Sequence, residues 1–516
     1  MFDQCQRSYG LEPYPLLHSV KMRAMQKHLR FHIIGAIAAG LLAACGGGES
    51  DGGNDLPPAL SIQKVDGRYH TGKQAAITTF KSHEAPANLQ VGRIDLPALA
   101  AEKSTALPEP FGARRIGEAR EIASTASPAL LADQLHWSVA ADGSQHAAIR
   151  VQAEAAFGLR LGLLIEQLPD AALLRLYHDQ NEDEAYEVSG SSINALLALN
   201  AEAGDTSAAG RTWWSPNLGG DHVVLELELP AGVMPQALQI ALPTLSHIFT
   251  DLSQYSEEEA SGSIEKAIGD AESCNQDVSC YRTGQEQRDA VARMQFVASD
   301  GKSYLCTGTL LNDAIASDIP YFLTANHCIG TQAEASSLQT DWFLRTASCS
   351  SAAIDSRHTV RGGGARLLVS TTGTQGYDAT LLVLNDAAPA GTYLAGWDAN
   401  QNNTVQAIYG IHHPAGDLAK ISGGQLVSYA SCNGSGSCST EGSDSDNYYA
   451  VSWASGTTEG GSSGSALFSS SGHVLGTLYG GAASCSAQQA PDFYGRFDKA
   501  FAAGMNRYLA ASERPL

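Results

Sequence analysis

The chain has 516 residues, more than a single ordinary domain holds, so two folded units plus short segments are expected. Apolar residues make up 43%, enough for real cores and too many for global disorder. With 32 basic against 54 acidic residues and a formal charge of −22, the chain lacks the basic footprint of a nucleic-acid binder. No nucleic-acid partner is expected, although a single cationic side chain remains an allowed ligand. The 52 glycines, with only 7% aromatics, suggest many turns and short strands.

Near the start, Arg23, Lys27 and Arg30 form a basic stretch ahead of an apolar run from Ile33 to Ala44. The run has the length of a signal-peptide core and is short for a permanent span. It ends in Leu42-Ala43-Ala44-Cys45, which looks like a bacterial lipobox. That likeness implies cleavage before Cys45 and acylation of its thiol, which anchors the protein to a membrane of the cell envelope. An ordinary signal peptide or a buried apolar helix is the alternative. Residues 1–21 sit awkwardly ahead of the basic stretch and suggest an over-extended start. Residues 1–44 are thus read as leader. Residues 45–58, with Gly-Gly-Gly-Glu-Ser-Asp-Gly-Gly-Asn-Asp-Leu-Pro-Pro after the cysteine, are read as a flexible tether.

Export changes how the ten cysteines read. Setting aside Cys5 in the leader and Cys45 leaves an even set, Cys274, Cys280, Cys306, Cys328, Cys349, Cys432, Cys438 and Cys485, all after residue 270. An even set in one region of an exported chain reads as disulfides. No C-x-x-C pair occurs, which argues against a zinc ribbon.

Residues 59–266 carry no cysteine. Segments such as His146-Ala-Ala-Ile-Arg-Val-Gln-Ala and His222-Val-Val-Leu-Glu-Leu-Glu-Leu alternate as strands do, while Leu159 to Leu168 could be helix or strand. A β-rich, sandwich-like domain is expected, and no residue cluster in it looks catalytic. The acidic, small-residue stretch Glu257 to Glu272, which contains Lys266, reads as an exposed linker.

Three stretches in residues 267–516 carry chemistry. In Tyr321-Phe-Leu-Thr-Ala-Asn-His327-Cys328 an apolar strand delivers a histidine at its end. In Gly376-Tyr-Asp378-Ala-Thr-Leu-Leu-Val-Leu an aspartate stands just before a buried-looking strand. In Gly460-Gly461-Ser462-Ser463-Gly464-Ser465-Ala466-Leu467-Phe468 glycines allow a tight turn that aims backbone N–H groups outward beside a serine, the geometry of a nucleophile with its oxyanion hole. Each alone has a bland reading: a structural histidine, a strand-capping carboxylate, a flexible Gly/Ser loop. Together, in the order His, Asp, Ser, they match the motifs T-A-x-H-C and G-x-S-G of chymotrypsin-like proteases.

The resemblance narrows further. Cys274-Asn-Gln-Asp-Val-Ser-Cys280, Cys306-Thr-Gly-Thr-Leu, Ala395-Gly-Trp-Asp398, Ile411-His-His-Pro414, Gly480-Gly-Ala-Ala-Ser-Cys485 and Asp492-Phe-Tyr-Gly-Arg496, with the three stretches above, are similar to the lysyl endopeptidases. The likeness runs along nearly all of 267–516. Residues 45–266 share only the position of a propeptide. The resemblance implies an all-β chain: a chymotrypsin-like double β-barrel (267–516) preceded by a β-rich pro or accessory domain (59–266).

Carried over residue by residue, the resemblance gives roles. Ser463 would attack the scissile carbonyl, His327 would take and return the proton, and Asp378 would orient the imidazole. Backbone N–H groups of Gly461 and Ser463 would bind the oxyanion. Asp492 would be the pocket acid that selects a cationic side chain, and Gly480 and Gly481 would line that pocket. A surface-loop acid is the bland reading of Asp492. The implied disulfides are Cys274–Cys485, Cys280–Cys349 and Cys306–Cys328, with Cys432–Cys438 as the remaining pair. No metal and no cofactor are implied. Adjacent His412 and His413 in a strand would point to opposite faces, so they favour a structural role over a shared metal.

Departures from the family pattern also stand in the sequence. Ala466 replaces a common proline, Asn326 precedes the histidine, and Tyr479 replaces a histidine, with Tyr429 expected as its aromatic partner. Ser462 stands where trypsin has an aspartate that pairs with a new amino terminus, so activation is expected through removal of the propeptide from the cleft. The reading is therefore an exported, lipid-anchored, monomeric serine endopeptidase. It cuts protein or peptide substrates after Lys, with Arg open, and Lys266 is its self-cleavage point. A catalytically silent surface binder on the same fold, or a protease of other side-chain preference, are the alternatives.

Overall fold

Alternating side-chain polarity organises the first half of the described chain. In the computed structural model the described residues are 61–515 except 71–79, 83–85, 87, 101–111, 179–180, 253–270, 373–375, 402–404 and 434–435. The leader, Cys45, its tether and Lys266 lie outside them.

The strands Gln145–Ala153 and His222–Leu229 pair antiparallel along their lengths. They sit in a seven-stranded sheet in the order Phe80–Ser82, Asn181–Ser189, Leu173–His178, His222–Leu229, Gln145–Ala153, Val91–Leu96, with Ser138–Val139 added to Gln145–Ala153. A four-stranded sheet runs Thr212–Trp214, Gly158–Gln167, Gln239–Ile248, Gly117–Glu121. The ambiguous segment after Leu159 is thus a strand. Val151, Leu174 and Leu225 from the first sheet and Leu161, Leu163 and Leu242 from the second share one buried cluster, which makes the pair a sandwich. One helix, Gly190–Glu202, escaped the sequence reading. Ser189 caps it by accepting from Ser192 N at 3.2 Å, and Ile193, Leu196 and Asn200 bury one face.

The second half contains two antiparallel barrels. The first has the strand order Thr359–Arg361, Gln339–Trp342, Val291–Val297, Ser303–Leu311, Tyr321–Thr324, Ala379–Leu384, Ala365–Thr371. The second closes on itself: Gln406–His412, Lys420–Cys432, Tyr448–Ser455, Asp492–Arg496, Val474–Gly481 and Ala466–Ser469, which returns to Gln406–His412. The fold is all-β, a double-barrel unit packed against a sandwich. Four disulfides are present: Cys274–Cys485, Cys280–Cys349, Cys306–Cys328 and Cys432–Cys438.

The strand Val291–Val297 shows how the two halves meet. All seven residues are buried, although two are polar. Ala292, Met294 and Phe296 enter the barrel core. On the other face, Gln295 accepts from Asn217 Nδ2 of the sandwich at 3.1 Å, and Arg293 donates to Asp341 Oδ2 at 2.8 Å. At the same seam Asn217 N donates to Gln339 Oε1 at 2.8 Å, and Ser336 Oγ donates to Asn200 Oδ1 at 2.7 Å. Arg160, fully enclosed, donates from Nε to Ser215 O at 2.8 Å and from Nη2 to Ser337 O at 2.5 Å. Burial pushes its guanidinium pKa down to about 9. Barrel and sandwich are joined through these polar groups and through a small apolar cluster in which Ile116 and Ile248 of the sandwich half meet Leu305 of the first barrel.

Arg160→Ala removes the donors to two enclosed carbonyls and is expected to cost about 2–3 kcal/mol. Thermal unfolding with limited proteolysis measures this, with exposed Arg93→Ala as the comparison, expected within about 0.5 kcal/mol of the unaltered chain. Equal behaviour of the two variants would contradict the seam as described.

Candidate active site

The histidine arrives where the sequence expects it. The strand Tyr321–Thr324 ends in a turn, and the Cys306–Cys328 disulfide ties the residue after His327 to the neighbouring strand. Asp378, buried and just ahead of Ala379–Leu384, has φ of 47°, a conformation that Asp tolerates better than most residues. Both its oxygens go to one partner: Oδ1 accepts from His327 N at 3.0 Å and Oδ2 lies 2.6 Å from His327 Nδ1. A carboxylate at Nδ1 puts the ring proton there and leaves the Nε2 lone pair available. His327 Nε2 is buried and has no hydrogen-bond partner among the described residues. Among the described residues the metal-type cluster is Cys306, His327 and Cys328, and its two sulfurs are already joined in a disulfide.

Ser463 sits in a turn held from both barrels. Thr307 N, on the first barrel, donates to Ser463 O at 2.8 Å, and Gly464 N donates to Leu478 O of the second at 3.0 Å. Gly461 (φ 98°) and Gly464 (φ 83°) are both left-handed. A Cβ on Gly464 would lie 2.2 Å from Thr324 Oγ1 and 2.5 Å from Thr307 O. This close approach brings the serine turn against the strand that leads to His327. The N–H groups of Gly461 and Ser463 have no hydrogen-bond acceptor among the described residues.

The Ser463 hydroxyl is not bonded to His327. It donates to Gly112 O at 3.0 Å. Gly112 comes from the sandwich half, and the chain after it, Arg114–Arg115, pairs antiparallel with Leu305 and Tyr304 of the first barrel. The first half lays a backbone segment against the serine. Sequence reasoning missed Gly112, because every residue has a carbonyl and no side-chain signal marks this one.

Asp492 is 1% exposed, so it is no surface-loop acid. Its Oδ2 accepts from Trp453 Nε1 and from Thr458 Oγ1, each at 2.7 Å, and Oδ1 from Ala483 N at 3.3 Å. Thr458 lies on the segment that leads into the serine turn, and neither it nor Trp453 was singled out from sequence. A Cβ on Gly481 would sit 2.2 Å from Asp492 Oδ1, so glycine there lets the carboxylate lie against the strand. Gly480 is the neighbouring left-handed residue, with φ of 144°. Burial pushes the Asp492 carboxyl pKa up. The Tyr479 ring stands edge-on to His327 at 6.0 Å. Its tyrosine neighbour is Tyr448, at 5.3 Å, whereas the expected partner Tyr429 stacks on Tyr449 at 5.8 Å. Both Tyr429 and Tyr449 lie under the Arg496 guanidinium.

Residues 268–495 match the family model for the lysyl endopeptidase C-terminal domain, and residues 89–249 that for the lysyl endopeptidase N-terminal domain. A lysyl endopeptidase of Pseudomonas aeruginosa is 32% identical over 508 residues, 94% of this chain and 99% of that protein. The chain belongs to the lysyl endopeptidase family. It is a serine endopeptidase, and the family extends to the sandwich, where sequence motifs had shown only a propeptide's position. Solved structures similar to this lysyl endopeptidase homologue include the Rv3671c protease from M. tuberculosis in its active form (16% identity, 45% of this chain and 86% of that one, TM-score 0.30). A thermostable serine protease, AL20, from an extremophilic microorganism is 15% identical over 44% of this chain and 99% of its own, with a TM-score of 0.31.

Gly464→Ala is expected to destabilise the protein by several kcal/mol, through about 1–3 kcal/mol of backbone strain plus the clash. Gly204→Ala, at a left-handed glycine with φ of 90° and nothing within 4 Å, should cost the strain alone. Chemical denaturation of both variants tests this, and a Gly464→Ala cost no larger than that of Gly204→Ala contradicts the wedge.

Proposed function

We propose that the protein is an exported endopeptidase that cleaves after Lys through Ser463, His327 and Asp378. The observation that carries the choice of lysine is Asp492, a carboxylate enclosed among Trp453, Thr458 and Ala483 with no cation bonded to it among the described residues. An unpaired buried charge is costly, and a substrate ammonium group relieves that cost. Ser463 Oγ attacks the carbonyl carbon while its proton passes to His327 Nε2. The oxyanion is held by Gly461 and Ser463 N–H. His327 gives the proton to the leaving amine, and water repeats the cycle on the acyl-enzyme. The four disulfides support export. The lipid anchor at Cys45 and the monomeric state belong to the same proposal. No helix among the described residues is long and apolar enough to cross a membrane.

The chain is made as a zymogen. Gly112 offers its carbonyl to Ser463, and Ala113 to Arg115 continue on the leaving-group side, as a substrate strand would. Glycine has no side chain to reach Asp492, so the segment fills the cleft without supplying the favoured residue. Cleavage after Lys266 separates residues 59–266 from the protease and allows this segment to leave.

A panel of Lys, Arg and Glu chromogenic peptides on the processed protein tests the reading. The Lys peptide should be cleaved best, and Ser463→Ala should lose roughly 10⁵–10⁶-fold in kcat. Preference for Glu, or activity that survives Ser463→Ala, overturns the proposal.

Asp492→Asn should lower kcat/KM for the Lys peptide by about 100- to 1000-fold. Because burial raises the Asp492 pKa, acid protonates it early. Inhibition by n-butylamine, which needs the pocket carboxylate and not the His327 base, should weaken as pH drops, from above the usual carboxylate range near ~4, with this acid limb absent in Asp492→Asn. An identical acid limb in both proteins contradicts the assignment.

The intact Ser463→Ala chain should keep residues 59–266, whereas active chain should yield a new amino terminus after Lys266. Amino-terminal sequencing decides this, and an active protein with that bond uncut contradicts the processing site.

A further inference from the structure

The adjacent histidines His412 and His413 have no part in the chemistry above, yet both are fully buried at the back of the serine turn. Their side chains part, as alternation in a strand requires. His413 Nδ1 lies 2.8 Å from Asp417 O. His412 Nδ1 lies 2.8 Å from Ser462 Oγ, and its Nε2 lies 3.0 Å from Ser422 Oγ.

The proton positions along this line follow from its two ends. Ser422 Oγ donates to Thr457 O at 2.7 Å, so it must accept from His412 Nε2–H. Nδ1 of the neutral ring is then an acceptor, and Ser462 Oγ–H donates to it. Ser462 Oγ in turn accepts from Glu459 N at 3.1 Å. Each donor has one acceptor, and the ring carries no charge. Burial holds its pKa down at about 3, so it stays neutral across the working range.

The line ends on the turn that bears the oxyanion donors. Ser462 lies between Gly461 and Ser463, the two residues whose N–H groups are free of other acceptors. The strand of His412 grips the same turn by backbone as well. His413 N donates to Thr307 Oγ1 at 3.1 Å, Thr307 Oγ1 donates to Gly461 O at 2.9 Å, and Ala415 N donates to Gly460 O at 2.8 Å. The Gly460 carbonyl is thereby turned inward, which turns Gly461 N–H, in the same peptide, outward; the Ser462 carbonyl, whose peptide carries Ser463 N–H, accepts from Ser465 N at 3.1 Å.

We propose that His412 is a positioning residue that, through Ser462, holds the Gly461 and Ser463 N–H groups aimed at one point, an uncharged clamp in place of an ion pair with a new amino terminus. The inference rests on the reading of Ser463 as nucleophile. Two consequences follow. The turn is preorganised without any charge brought in by processing. And loss of the clamp weakens binding of an oxyanion, not of a substrate side chain.

The test uses processed protein with His412→Phe, which fills the space and breaks the line, and His412→Gln, whose amide supplies one acceptor and one donor. Measured are kcat and KM on a lysine ester, inhibition by a peptidyl-lysinal, whose hemiacetal needs the oxyanion donors, and inhibition by n-butylamine, which needs only the Asp492 pocket. H412F should lose about 100- to 1000-fold in kcat and in lysinal affinity, the range for loss of an oxyanion donor, while KM and n-butylamine inhibition stay within about threefold. H412Q should restore all but about tenfold. If H412F does not fold, S462A carries the same split. The inference fails if H412F keeps wild-type kcat and lysinal affinity, or if n-butylamine and lysinal weaken together. Unaltered protein that neither cleaves the ester nor binds the lysinal removes the functional reading itself; a reactive parent with an indifferent H412F removes the inference alone.

Discussion

The turn Glu459–Ser465 is caught between two barrels, and the rest of the site is arranged around that grip. Thr307 N holds it from one side and Leu478 O from the other. Gly464 lets it approach so closely that a single Cβ would strike both Thr324 and Thr307. Packed interiors do not deform continuously, so such a wedge has one position. His327 reaches the same line because the strand touched by Gly464 is the strand that carries it. A disulfide and the two bonds from Asp378 then fix the ring.

The same economy extends to the pocket and the sandwich. Thr458, three residues before Gly461, bonds Asp492, so pocket and turn share one stretch of chain. The sandwich covers the polar outer face of Val291–Val297 and sends Gly112 to the serine hydroxyl. The chain just after Gly112 pairs with Tyr304 and Leu305 of the first barrel.

Much of this was readable from residue order. The His, Asp and Ser stretches each combine an apolar strand with a reactive side chain at its end, and the eight late cysteines mark a disulfide-stapled region. Strand polarity in His146–Ala153 and His222–Leu229 announced the sandwich sheet. Leu159 to Leu168 stayed ambiguous because a run apolar on both faces fits either period, and only its pairing with Gln239–Ile248 resolves it. The Gly190–Glu202 helix was passed over because its signals are local and weak, a serine cap and small residues. Gly112 was invisible for another reason: the contact spans 351 residues and uses a backbone carbonyl. Tyr448 rather than Tyr429 beside Tyr479 reflects barrel register, which spacing alone does not fix.

The site requires that one hydroxyl, two backbone N–H groups and one enclosed carboxylate face a common space. A crystal structure of the processed protein reacted with a lysine-type phosphonate tests it most directly. The expected adduct has phosphorus bonded to Ser463 Oγ, the phosphoryl oxygen between Gly461 N and Ser463 N, and the ammonium group at Asp492. An adduct on another residue, or an ammonium group pointing away from Asp492, would contradict it.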